Sequence, residues 1–96
     1  MSRNDGTHRL SGALTSDEVP QIWKESRAWR DEGLPAEIDL SDVEIADSSG
    51  LALLLEWLAW AQERGDEIRF TDPPESLRTI AGLSQAGGIL GWENDS

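Results

Sequence analysis

The apolar residues of this chain follow two periods. From Thr7 to Leu14, Leu10, Gly12 and Leu14 share one side of an extended segment, which predicts a first strand. Val19, Ile22, Trp23 and Ser26 then repeat at helical spacing, with Ala28 or Trp29 extending the stripe. That helix has its start signal in Thr15-Ser16-Asp17-Glu18, where Thr15 and Glu18 can form a capping box, and Pro20 suits a first turn. Gly33 and Pro35 stop it. Alternation returns at Ile38 and Leu40, against Glu37, Asp39 and Ser41, and again at Ile68-Arg69-Phe70-Thr71. Between these strands, Ser48 to Arg64 reads as a long helix closed by Gly65. A last helix takes Asp72 as its cap, has Pro73 and Pro74 in its first turn, and carries Leu77, Ile80, Ala81 and Leu83. Residues 84–91 are Gly-rich and carry no clear period.

Strands separated by helices predict parallel crossovers. A strand covered on both faces would be continuously apolar, and these alternate. The expected fold is therefore α/β: a small, largely parallel sheet with its helices packed on one face and its other face wet. Ninety-six residues make one domain, expected over 7–92, with a flexible N-terminus at 1–6 and a polar tail at 93–96.

Composition narrows the function. Eight Lys and Arg against 19 Asp and Glu give a net charge of -11, which opposes binding to a phosphate backbone or an anionic bilayer. There is no cysteine, so no disulfide, thiolate metal site or thiol nucleophile. His8 is the one histidine, and general bases and zinc ligands normally sit in company. The glycines between Gly82 and Gly91 lack the Lys and the strand-loop-helix setting of a phosphate loop. No enzyme activity, metal or cofactor is expected. The N-terminal residues have no apolar stretch of the kind a secretory signal carries, and the apolar run Leu51–Ala61 is far below the ~20 residues of a membrane span. A cytoplasmic location is the expectation.

Chemistry concentrates where the second strand meets the long helix, at Asp47-Ser48-Ser49-Gly50-Leu51. A helix's first turn has free N–H groups and the positive end of the dipole. Asp47 or Ser48 as an N-cap accounts for these residue types; a phosphorylatable hydroxyl on the same turn is the other reading.

The stretch Ile38-Asp39-Leu40-Ser41, leading through an acidic loop to Asp47-Ser48-Ser49-Gly50-Leu51, resembles the STAS domain signature. The resemblance spans nearly the whole chain, from Leu10-Ser11-Gly12 to the final helix, and implies a STAS fold with helices on one side of a mixed sheet. Two branches match. Anti-sigma factor antagonists imply Ser49 as phosphate acceptor and a serine kinase that doubles as an anti-sigma factor as partner. The MlaB-type accessory subunits of a phospholipid-trafficking ABC transporter are similar in length and in the Gly-Leu-Ala-Leu-Leu-Leu helix, and imply that Ser48 lies at the contact with the ATPase subunit. The expectation is the second: a non-catalytic module docked on an ABC ATPase, with serine phosphorylation at Ser49 or Ser48 as the alternative.

Two further features bear on docking. On the long helix, Leu54, Leu58 and Ala61 centre the apolar arc, Leu51 and Leu55 flank one side, and Leu53, Trp57 and Trp60 extend round the other. The Trp rings either wrap the edge of a small core or form the exposed edge of a docking surface. Between Arg30 and Arg64 there is no Lys or Arg, while Asp31, Glu32, Glu37, Asp39, Asp42, Glu44, Asp47, Glu56 and Glu63 are acidic. Straddling Ser48 in sequence, they predict a negative field there and a basic docking surface on the partner.

Overall fold

The strands β1 (Thr7–Leu14), β2 (Glu37–Ala46) and β3 (Arg69–Thr71) alternate with helices α1 (Val19–Ser26), α2 (Trp29–Glu32), α3 (Ser48–Arg64), α4 (Glu75–Leu83) and α5 (Gly87–Leu90). The structure is a computed structural model and describes residues 6–90 and 92. The arm at 1–6, Gly6 apart, and the tail at 93–96 lie outside those residues. Gly6 is tied down: its carbonyl accepts from the amides of Ala36 and Glu37 at 2.9 and 3.2 Å.

The sheet has the order β1-β2-β3, and both pairings are parallel. No antiparallel strand accompanies them among the described residues, so the sheet is parallel rather than mixed there. Because the order never reverses, right-handed crossovers place every intervening helix on the same face. Burial agrees. Leu10, Leu14, Ile38, Leu40 and Phe70 point into the core, while Arg9, Ser11, Ser41 and Arg69 are exposed. On the wet face Arg9 pairs with Asp39 and Asp42 at 3.3 and 3.7 Å, and Arg69 with Glu37 at 3.5 Å.

Several boundaries differ from the sequence reading. Strand β2 runs through Ala46, where an acidic loop was expected, because residues 42–46 pair with Ser11 to Leu14. Two register shifts interrupt that pairing, so its buried residues Leu40, Val43 and Ala46 are three apart instead of two. Helix α1 starts at Val19 with no side-chain cap, since residues 15–18 close a turn through backbone bonds from Glu18 and Val19 to the Thr15 carbonyl. The predicted single helix over 19–32 breaks after Ser26. There the Ser26 hydroxyl donates to the Trp23 carbonyl at 2.9 Å, and the Arg27 and Arg30 amides turn to carbonyls three residues back. Helix α4 is capped by Pro74, not Asp72: Pro73 itself precedes a proline and is driven out of the right-handed helical region, so the helix cannot begin at Pro73 behind an Asp72 cap.

The core lies between the sheet and α3, with α1 and α2 over one flank of that helix and α4 over the other. Tryptophan fills the α1/α2 flank: Trp29 meets Trp57 at 4.9 Å and Trp23 meets Trp60 at 6.3 Å between ring centroids. Trp57 is fully buried, and its indole N–H donates to the Ser26 hydroxyl at 2.9 Å.

Candidate functional site

The junction of β2 and α3 is built from its residues outward. Asp47 is extended and caps α3, its Oδ1 accepting from the Ser49 amide at 2.8 Å. Its other oxygen, Oδ2, accepts from the Ser16 amide at 3.2 Å, and its own amide donates to the Leu14 carbonyl at 3.1 Å. One side chain thus ties the start of α3 to the turn after β1. Partial burial pushes its carboxyl up, but donors from Ser16, Ser49 and Gly50 outweigh this and hold it below the usual range.

Gly50 is fixed by a different constraint. A Cβ there would lie 2.6 Å from the Leu14 carbonyl oxygen and 2.8 Å from the Leu14 Cβ. The first turn of α3 therefore presses directly on the end of β1, and only glycine permits that approach. Asp47 and Gly50 are both accounted for by folding.

The two serines between them are not. Ser49 is half-buried and its hydroxyl turns back to Asp47. Ser48 is exposed, and no hydrogen bond of its hydroxyl exists among the described residues. It stands on a rigid turn, facing out. Beside it a shallow groove of about 300 Å³ runs between α1 and α3, lined by Val19, Trp23, Ser49, Ala52, Leu53 and Glu56. Val19 and Trp23 entered the sequence reading only as a helix stripe; that Trp23 is 37% exposed is decided by the break in α1–α2 and the packing that follows it.

The expectation of an exposed edge at Leu53, Trp57 and Trp60 is corrected. Their exposures are 2%, 0% and 3%, against partial exposure for Leu55 and Leu58. The buried arc of α3 is rotated toward its tryptophans because α1 and α2 cover that flank. Of the three, Leu53 alone reaches the groove floor.

The acidic field is also redistributed. Glu37 lies about ten strand residues, roughly 30 Å, from Asp47. With Asp39 and Asp42 it engages arginines on the wet face. Glu63 is at the far end of α3, near Arg30. Toward the Ser48 turn lie Asp47, Glu44 three residues before it on β2, and Glu56 in the groove lining, joined by Asp17 and Glu18, which follow the Ser16 amide that Asp47 holds. Sequence distance hid those two.

No group of metal-ligating side chains forms among the described residues, and no described helix is long and apolar enough to cross a membrane. Comparison with known proteins gives a match over residues 1–91 to the family model described as "Mlab, STAS domain". The chain belongs to the STAS domain family, MlaB type. The intermembrane phospholipid transport system binding protein MlaB of Escherichia coli (strain K12) is 35% identical over 77 residues, 80% of this chain and 77% of that protein. The protein of the same description from Shigella flexneri matches to the same extent. In this STAS domain the signature turn has a structural half, Asp47 and Gly50, and an outward half, Ser48, with Ser49 between the two roles.

Proposed function

We propose that this chain is a non-catalytic subunit of a phospholipid-transport complex, held at its cytoplasmic side by docking on the complex's ABC ATPase subunit. The observation that carries the reading is the likeness to two proteins described as binding proteins of an intermembrane phospholipid transport system. In this reading the docking surface comprises the outward Ser48, the Ser49 hydroxyl, and the groove bounded by Val19 and Trp23. Asp47 holds this turn in place, and Trp57 and Trp60 act from behind it by fixing the pose of α3 against α1. Asp17, Glu18 and Glu56 around the turn call for basic side chains on the facing part of the ATPase, which would raise the association rate and set register. ATP hydrolysis belongs to the partner. The anti-sigma reading, with Ser49 or Ser48 as phosphate acceptor and a serine kinase as partner, gains no support from either relative.

The test is affinity purification of the tagged chain from its native lysate, with and without Ser48→Tyr. Recovery of an ABC ATPase by the unmodified chain, and its loss in a Ser48→Tyr variant of unchanged melting temperature, is the expected result. Recovery of a serine kinase without an ATPase overturns the proposal.

A further inference from the structure

With 19 acidic residues for 8 basic ones, every cation has carboxylates to choose from. Arg9 takes two, Arg30, Arg64 and Arg69 take one each, and Arg78 has an interaction of its own. Among the described residues Lys24 and Arg27 make no ion pair, and they line the same groove. It has a volume of about 490 Å³, lies along α1 and α2 against the end of α3, and is bounded at one end by Trp23. Lys24 and Arg27 are one helical turn apart, so both charges stand on one side of α1. The Arg27 guanidinium lies 5.5 Å from the Trp23 ring and the Arg30 guanidinium 5.5 Å from the Trp60 ring. Such contacts hold a guanidinium near its ring while leaving its N–H groups free to donate. Glu63, 3.9 Å from Arg30, and Asp31, four residues after Arg27, are the carboxylates in the lining, and neither forms an ion pair with Lys24 or Arg27. The Lys24–Arg27 end keeps its positive charge.

Trp23 also borders the groove at Ser49. The two grooves meet across one half-exposed indole. We propose that Lys24 and Arg27 bind an acidic segment of a protein partner, one whose adjoining apolar residues pass over Trp23 toward Ser49. That the partner is the ATPase subunit rests on the docking reading above; the acidic chemistry of the segment does not. A membrane is the poorer occupant. A bilayer meets the whole charge of -11 across a broad face, whereas a peptide feels only the local field, within a Debye length of about 8 Å. The interface is then bipolar: basic partner residues at the Ser48 turn, acidic ones along α1.

The test is NMR titration of the full chain with a hexaglutamate peptide at physiological ionic strength, where the Debye length is about 8 Å. Expected are shifts confined to the Lys24 and Arg27 amides and the Trp23 indole, suppressed by added salt. Lys24→Glu and Arg27→Glu each weaken binding about fivefold, and Arg69→Glu on the opposite sheet face leaves it unchanged. No shifts, or shifts centred on Arg9 and Arg69, overturn the proposal. So does binding to phosphatidylglycerol vesicles that depends on Lys24 and Arg27 while the peptide fails to bind. In the affinity purification the same two reversals are expected to reduce ATPase recovery. If the unmodified chain recovers no ATPase, the docking reading fails while the peptide result stands separately.

Discussion

Asp47 shows how much a single carboxylate can organise. It caps one helix, holds the amide of a turn thirty-one residues earlier, and keeps Ser48 facing outward. Its lowered pKa fixes the direction of a pH effect. A carboxyl whose folded-state pKa lies below the ordinary 3.8 adds stability that is complete above the unfolded value and lost as pH falls through the folded one. Replacing Asp47 with Ala should lower the melting temperature by roughly 4–8 °C near neutrality. In urea unfolding, the gap between wild type and variant should stay constant above about pH 5 and shrink below about pH 4. Asp39, held low by the Ser41 amide and hydroxyl and by Arg9, adds a parallel dependence to both proteins. A gap that widens in acid would contradict the capping geometry. Ser26 is the second test at this scale. It is 3% exposed, and its hydroxyl accepts the buried Trp57 indole N–H. Ser26→Ala orphans that donor and should cost about 1–3 kcal/mol in urea unfolding; a neutral result would mean that the N–H finds another acceptor.

At the scale of elements, the contact of α3 with β1 is set by the missing side chain at Gly50. An added methyl meets backbone, the Leu14 carbonyl, so it cannot be relieved by rotating a side chain. Gly50→Ala should destabilise the fold by about 1–3 kcal/mol despite alanine's better helix propensity, again read in urea. The more informative readout is the Ser16 amide shift, because pushing α3 away lengthens its bond to Asp47. Much at this level was legible in the sequence. Strand β1 and helix α3 have the predicted bounds, the latter because Asp47 and Gly65 are strong local start and stop signals. Local signals misled where a tertiary partner competed. The Thr15/Glu18 box is absent because the turn closes on backbone and gives the Ser16 amide to Asp47. The second half of β2 was hidden because two register shifts destroy the two-residue period.

The whole molecule carries its charge unevenly. The wet sheet face is laced by arginine-carboxylate pairs, the α1–α2 groove keeps two unpaired cations, and the remaining acid gives the net -11. Self-repulsion of that size destabilises a compact state and is screened by salt. Raising ionic strength from about 10 mM to physiological values, where the Debye length falls to about 8 Å, should therefore raise the melting temperature in calorimetry by a few degrees. A fall would show that the exposed ion pairs outweigh the repulsion.

The sequence by itself determined the class of fold, the parallel pairing, the one-sided packing and the turn that marks the family. These follow from near-neighbour physics: side-chain period, capping residues and the handedness of crossovers. Only the tertiary structure decided which flank of α3 is covered. The helix was apolar over more than one face, and nothing local says where a second helix will lie. The packing of α1 and α2 buried Trp57 and Trp60 and left Ser48 outside. It also gathered acids spread along the sequence onto separate faces, because parallel strands and their helices carry consecutive residues to opposite ends of the molecule.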